Sequence, residues 1–151
     1  MQQKKINHTF FKMCMLVTIG FIALSFTTKF GLDSFEIYLN DKVVLKQYIN
    51  QPLSLRTLQL SEVNKNDQLR IVYRHCTNKG SGTDRIIVLK NEKGQELKKW
   101  DFKDANGSDV SMTIAVKELL SLESANSQHQ LSLYYSAREL QKSEMLSALN
   151  F

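Results

Sequence analysis

No acidic side chain precedes Asp33, and the whole chain holds only two cysteines, one proline and one tryptophan. Each scarcity excludes something. One proline and six glycines leave no Pro-, Gly- or Ser-rich stretch to serve as an interdomain linker, so a single folded domain is expected. Two cysteines cannot make the dense disulfide framework on which many small secreted domains depend. Gly-x-Ser-x-Gly, a glycine-rich phosphate loop and His-Glu-x-x-His are all missing, which removes the signature-bearing hydrolases, nucleotide binders and zinc proteases.

The missing acids at the N-terminus come with a pattern. Lys4, Lys5 and Lys12 precede the apolar run Met13–Phe26, and Ala23 and Ser25 are small residues at its exit. A basic start, an apolar core of 14 residues and a small-residue exit are the marks of a secretory signal. Residues 1–25 are therefore expected to be a signal peptide, with 26–34 a short linker and 35–151 the domain. Thr27 and Thr28 are alternative cleavage positions. An uncleaved anchor is the competing reading, although a spanning helix needs about 20 apolar residues. Cys14 follows Phe11-Lys12-Met13, which is not a lipoprotein context.

Removing the leader changes the arithmetic. Of 20 basic residues, Lys4, Lys5 and Lys12 leave, while all 15 acidic ones stay, so +5 becomes 17 − 15 = +2. That near-balance, with no alternation of arginine and aromatic residues, argues against nucleic acid as a partner. Only Cys76 survives in the mature chain, so packing must hold the domain together. Asn106-Gly107-Ser108 is a formal glycosylation sequon that reads more simply as a tight turn.

What is present is period-two alternation. Phe35, Ile37 and Leu39 alternate with Glu36, Tyr38 and Asn40, and Asn40-Asp41 turns the chain into Lys42–Tyr48. Pro52 then interrupts pairing before the leucines at 53, 55, 58 and 60. Within Asp67–Cys76, Leu69, Ile71 and Tyr73 share one face, and Arg70, Val72 and Arg74 share the other. A flexible loop at 77–82 leads to the β-branched run Arg85–Lys90. Asn91–Gly94 makes a turn into Glu96–Phe102, and a second turn at Asp104–Ser108 leads to Val110–Val116. Spacing becomes helical over 117–123, then strand alternation returns at Gln130–Ala137 and Met145–Phe151. Eight or nine short strands with turn signals between them predict an all-β antiparallel sandwich with one short helix.

The hairpins Phe35–Leu45 and Ile86–Trp100 carry Tyr38-Leu39-Asn40-Asp41-Lys42 and Leu89-Lys90-Asn91-Glu92-Lys93-Gly94. In this style the chain resembles the small, exported bacterial β-sandwich proteins of immunoglobulin-like type. The resemblance implies an immunoglobulin-like fold and an envelope location, and it carries over no functional residue.

The candidate sites follow. Cys76 is a candidate reactive thiol, in the same phase as Arg70 and Arg74. With His75 or His129 it offers the outline of an exported enzyme or a redox or metal protein. A blue-copper or zinc site nevertheless lacks its ligand spacing, and no metal or cofactor is expected. Arg70, Arg74 and Arg85 form a candidate binding patch if the Asp67–Cys76 and Arg85–Lys90 strands pair as a hairpin. Tyr38, Trp100 and Tyr134 would favour a glycan if exposed together. The doubly apolar run Ile86–Leu89 would favour cover by another element or by a second copy in a homodimer. The terminal Phe151 raises a small outer-membrane barrel, against which the strands are short. The expectation is an exported, non-catalytic binding or accessory module, periplasmic or extracellular. Its partners would be an envelope protein or a glycan, with membrane contact only if the leader stays.

Overall fold

A computed structural model describes residues 31–76, 82–105 and 111–151. The expected leader, the loop at 77–81 and the turn residues 106–110 lie outside them. Gly31–Phe151 forms one compact unit. Its strands are β1 (Ser34–Leu39), β2 (Lys42–Tyr48), β3 (Thr57–Gln59), β4 (Gln68–Arg74), β5 (Arg85–Asn91), β6 (Glu96–Phe102), β7 (Ser111–Ala115), β8 (Leu131–Ser136) and β9 (Glu144–Asn150), with one helix, α1 (Val116–Ala125).

The strands form two sheets, ordered β2-β1-β4-β7 and β3-β9-β8-β5-β6. Their inward residues make the core: Phe35, Ile37, Leu69, Ile71, Ile87, Leu89, Leu133 and Leu146 are wholly shielded from solvent. The alternation read from the sequence thus places one side of each strand inside. The described chain is mostly β, in two sheets with one helix, with one departure from the antiparallel expectation. β3 pairs parallel to β9, from Thr57 opposite Ala148 to Gln59 opposite Asn150. The cause lies just upstream, where Pro52 opens a 3-10 turn at Leu53–Leu55 in place of a hairpin. The chain thereby crosses to the other sheet before pairing again. Each sheet is open at two ends, so the described strands form no closed barrel.

Local chemistry fixes the turns. Asn40 adopts a φ of 54° between β1 and β2, and its side chain donates to Asp67 Oδ1 and accepts from the Gln68 N–H. Asn91 Oδ1 accepts from the N–H groups of Lys93 and Gln95, while Gly94 takes a φ of 77°. In α1, Val116, Leu119 and Leu120 fall on one face at helical spacing and are buried. Asn126 ends the helix, its amide donating back to the Leu122 carbonyl.

The hairpin expected between the Asp67–Cys76 and Arg85–Lys90 strands does not form. β4 pairs with β1 and β7, whereas β5 pairs with β6 and β8 in the opposite sheet. β5 lies inside its sheet between β8 and β6; of the doubly apolar run Ile86–Leu89, Ile87 and Leu89 face the core, and Val88, on the outer face, is 6% exposed.

Candidate functional site

On the outer face of the four-stranded sheet, side chains from neighbouring strands stand in rows across the strands. One row is Val43, Tyr38, Arg70 and Thr113; the next is Lys46, Glu36, Val72 and Ser111. A third begins Tyr48, Ser34 and Arg74. This is the outward half of the period-two pattern, mostly polar apart from the exposed Val43 and the buried Val72, brought together by strand pairing.

Glu36 is the hub. Lys46 Nζ lies 2.7 Å from its Oε1, while Tyr38 Oη and Arg74 Nη1 donate to its Oε2 at 2.7 and 3.1 Å. The Lys46 and Tyr38 contacts, with Arg74, hold the Glu36 carboxyl at a pKa of about 2, overcoming the opposing effect of burial. The same bond pushes the Tyr38 hydroxyl up. Arg70 is placed differently: its guanidinium lies 3.9 Å from the centre of the Tyr38 ring. Among the described residues no carboxylate is within ion-pair distance of it. Lys46, Arg70 and Arg74 against Glu36 leave this face an excess of two positive charges.

Arg85 is not part of this group. It starts β5 in the other sheet, is 6% exposed, and donates from Nε and Nη2 to the Lys103 carbonyl. Tyr134 stands on the outer face of the other sheet beneath Lys90, and Trp100 points inward, donating to Glu118. Tyr38, Trp100 and Tyr134 therefore make no common aromatic platform.

Cys76 is exposed just past β4, its N–H donating to Asp33 Oδ1 at 2.8 Å. A Cβ added at Gly31 would stand 2.7 Å from the thiol sulfur. His75 is buried, with both ring nitrogens occupied: Nε2 bonds Tyr135 Oη at 3.0 Å and Nδ1 lies 3.3 Å from Asp33 Oδ2. Neither nitrogen is left to take the Cys76 proton in this arrangement. Tyr73 Oη also donates to Asp33 Oδ2, and its ring stacks on Tyr135 with centroids 4.2 Å apart. Burial pushes both tyrosine hydroxyls well above their ordinary range, so they stay protonated.

His129 pairs with Glu92 at 2.7 Å, beside the β5–β6 turn. β5 and β8 run between it and the His75 cluster, a separation on the order of 20 Å at about 3.3 Å per residue. Cys76 and His129 are not brought together. Among the described residues no group of three or more His, Cys, Asp or Glu side chains is arranged to hold a metal. An open groove at the ends of β5 and β6 exposes Asp84, Asp101 and Asp104, but each is engaged. Asp84 pairs with Arg138 at 2.6 Å, Asp101 with Lys99 at 3.0 Å, and Asp104 accepts from the Asp84 N–H.

No family model, curated protein or solved structure matches the chain. Its functional reading therefore rests on its own side chains. Among these, Glu36, Lys46 and the two partners of His75, Asp33 and Tyr135, are not singled out by the sequence alone, because no local motif encodes strand pairing.

Proposed function

We propose that this chain is an exported, non-catalytic β-sandwich module that binds an acidic component of the bacterial cell envelope. The binding surface is the outer face of the four-stranded sheet. It is immunoglobulin-like in the broad sense of two facing sheets that bind through a face. An immunoglobulin constant domain orders its strands A-B-E-D and C-F-G, whereas here the first strand lies inside its sheet between β2 and β4.

The observation that carries this reading is the asymmetry between Arg70 and its neighbours. Glu36 already serves Lys46, Arg74 and Tyr38, while Arg70 lies over the Tyr38 ring and is shared with no acid of the described residues. A planar guanidinium is suited to a carboxylate or another oxyanion. An ordinary solvated surface usually places acids opposite its arginines; here one acid faces three cations.

The test is co-sedimentation of the protein with washed envelope membranes at increasing salt. Binding is expected to fall as salt rises and to be lost when Arg70 and Arg74 are both changed to Glu. Binding that ignores both changes would overturn the assignment of this face.

A further inference from the structure

We propose that the ligand of this face is an acidic polysaccharide bearing carboxylates, lying across the sheet with Arg70 as its principal anion subsite and Tyr48 as a stacking platform. The inference rests on reading this face as the binding surface, and adds the ligand class. Four features of the face favour a carboxylated glycan over an acidic peptide or a densely sulfated polymer.

The first is the fork at Arg70. The Arg70 guanidinium rests 3.9 Å from the centre of the Tyr38 ring, and the Glu36 bond holds Tyr38 in place. Little side-chain freedom is then lost when a planar carboxylate is gripped by two parallel N–H donors. The second is what lies around it. Thr113, directly across from Arg70, is exposed, and Ser34 lies between Tyr48 and Arg74. Small hydroxyls of this kind donate to and accept from sugar hydroxyls.

The third is Tyr48, 49% exposed on an edge strand in the same row as Arg74. Two strand spacings separate them, roughly 10 Å. The apolar face of a pyranose ring packs on an aromatic ring of this exposure, while a charged group reaches the arginine. Arg70 and Arg74 are four residues apart on β4, about 13 Å. An extended polymer can meet both, and a single small anion cannot.

The fourth is charge density. An excess of two positive charges is enough for sparse carboxylates. A densely sulfated chain gains its affinity from many cations at once.

The decisive experiment titrates the protein with de-esterified polygalacturonate, following backbone amide shifts and affinity. Fully methyl-esterified polygalacturonate, poly-glutamate and dextran sulfate serve as the contrasting probes. The expected result is binding to polygalacturonate alone, with shifts confined to β1, β2, β4 and β7. Arg70→Ala should weaken it at least tenfold and Tyr48→Ala several-fold. Arg70→Lys should not restore it, because a point charge lacks the fork. Thr113→Glu places a carboxylate beside Arg70 without touching the core and should abolish binding, which guards against misfolding of the Arg70 variants. Equal or tighter binding to poly-glutamate or dextran sulfate would overturn the glycan assignment, as would methyl-esterified polymer binding like the free acid. If no polygalacturonate binds while envelope sedimentation still depends on Arg70, the ligand class is wrong and the face reading stands. If sedimentation is also indifferent to Arg70, both fall.

Discussion

Arg56 Nη1 lies 2.6 Å from Glu144 Oε1, joining the segment before β3 to the start of β9. The same guanidinium donates to the carbonyls of Met145, Ile49 and Gln51 and sits 5.6 Å from the centre of the Phe35 ring. At 1% exposure it is among the most buried side chains in the domain. It ties the post-proline segment to the start of β9. Removing it strands a carboxylate and three carbonyls in a site with little access to water. Arg56→Ala is expected to cost about 3–5 kcal/mol in urea unfolding. Arg56→Lys should recover only part of this, since one ammonium cannot reach both the carboxylate and carbonyls on the far side. Full stability in either variant would show the clasp to be dispensable.

Gly82 makes room for the Tyr135 hydroxyl. A Cβ there would stand 2.7 Å from Tyr135 Oη and 3.1 Å from Arg85 Cδ. Gly82→Ala should therefore destabilise the domain by about 1–3 kcal/mol through crowding. Tyr135→Phe removes the clashing oxygen but leaves His75 Nε2 without its hydrogen-bond partner. The double variant should consequently be more stable than the sum of the single losses implies, which a double-mutant cycle measures directly. Strict additivity would mean that the two groups do not meet.

The sequence made the strands legible because alternation is a local property. Leu69, Ile71 and Tyr73 point inward and Arg70 and Arg74 outward, as their spacing requires, and Glu96–Phe102 begins and ends where its turn signals place it. Pairing is not local. The loop after Cys76 looks like a hairpin connection, yet it carries the chain to the other sheet, which separates Arg85 from Arg70 and Arg74. The hub at Glu36 was hidden for the same reason: its cations come from β2 and β4, 10 and 38 residues away. Arg56 offered no signal either, because an arginine among exposed leucines reads as a surface residue until its partners from β9 are known.

Glu36 gives the domain a specific acid sensitivity. Its carboxyl falls from an ordinary 4.5 to about 2 through the Lys46 and Tyr38 bonds and Arg74. A depressed folded-state pKa means that the unfolded chain takes up the proton first. The stabilisation is therefore complete above about pH 5 and is lost as pH falls through 4.5 toward 2. The stability difference between wild type and Glu36→Gln should be constant above pH 5 and shrink toward zero near pH 2. A difference that does not change over that interval would refute the hub.

Trp100, the sole tryptophan, reports on the docking of α1. Its Nε1 donates to Glu118 Oε2 at 2.9 Å, and Lys98 lies 3.1 Å from the other carboxylate oxygen. The Trp100 bond, helped by Lys98, lowers the Glu118 pKa against a smaller opposing effect of burial. Protonation at low pH weakens this acceptor, so the indole emission should shift with a midpoint below the ordinary 4.5. Glu118→Gln should abolish that transition while leaving the domain folded at neutral pH. Leu119→Ala acts on the same junction from the buried side of the helix, with an expected loss of about 2–5 kcal/mol. If α1 is held chiefly by Leu119 and its buried neighbours, the glutamine variant will keep nearly the wild-type urea midpoint and the alanine variant will not. The reverse ranking would make the Trp100–Glu118 bond the principal tie.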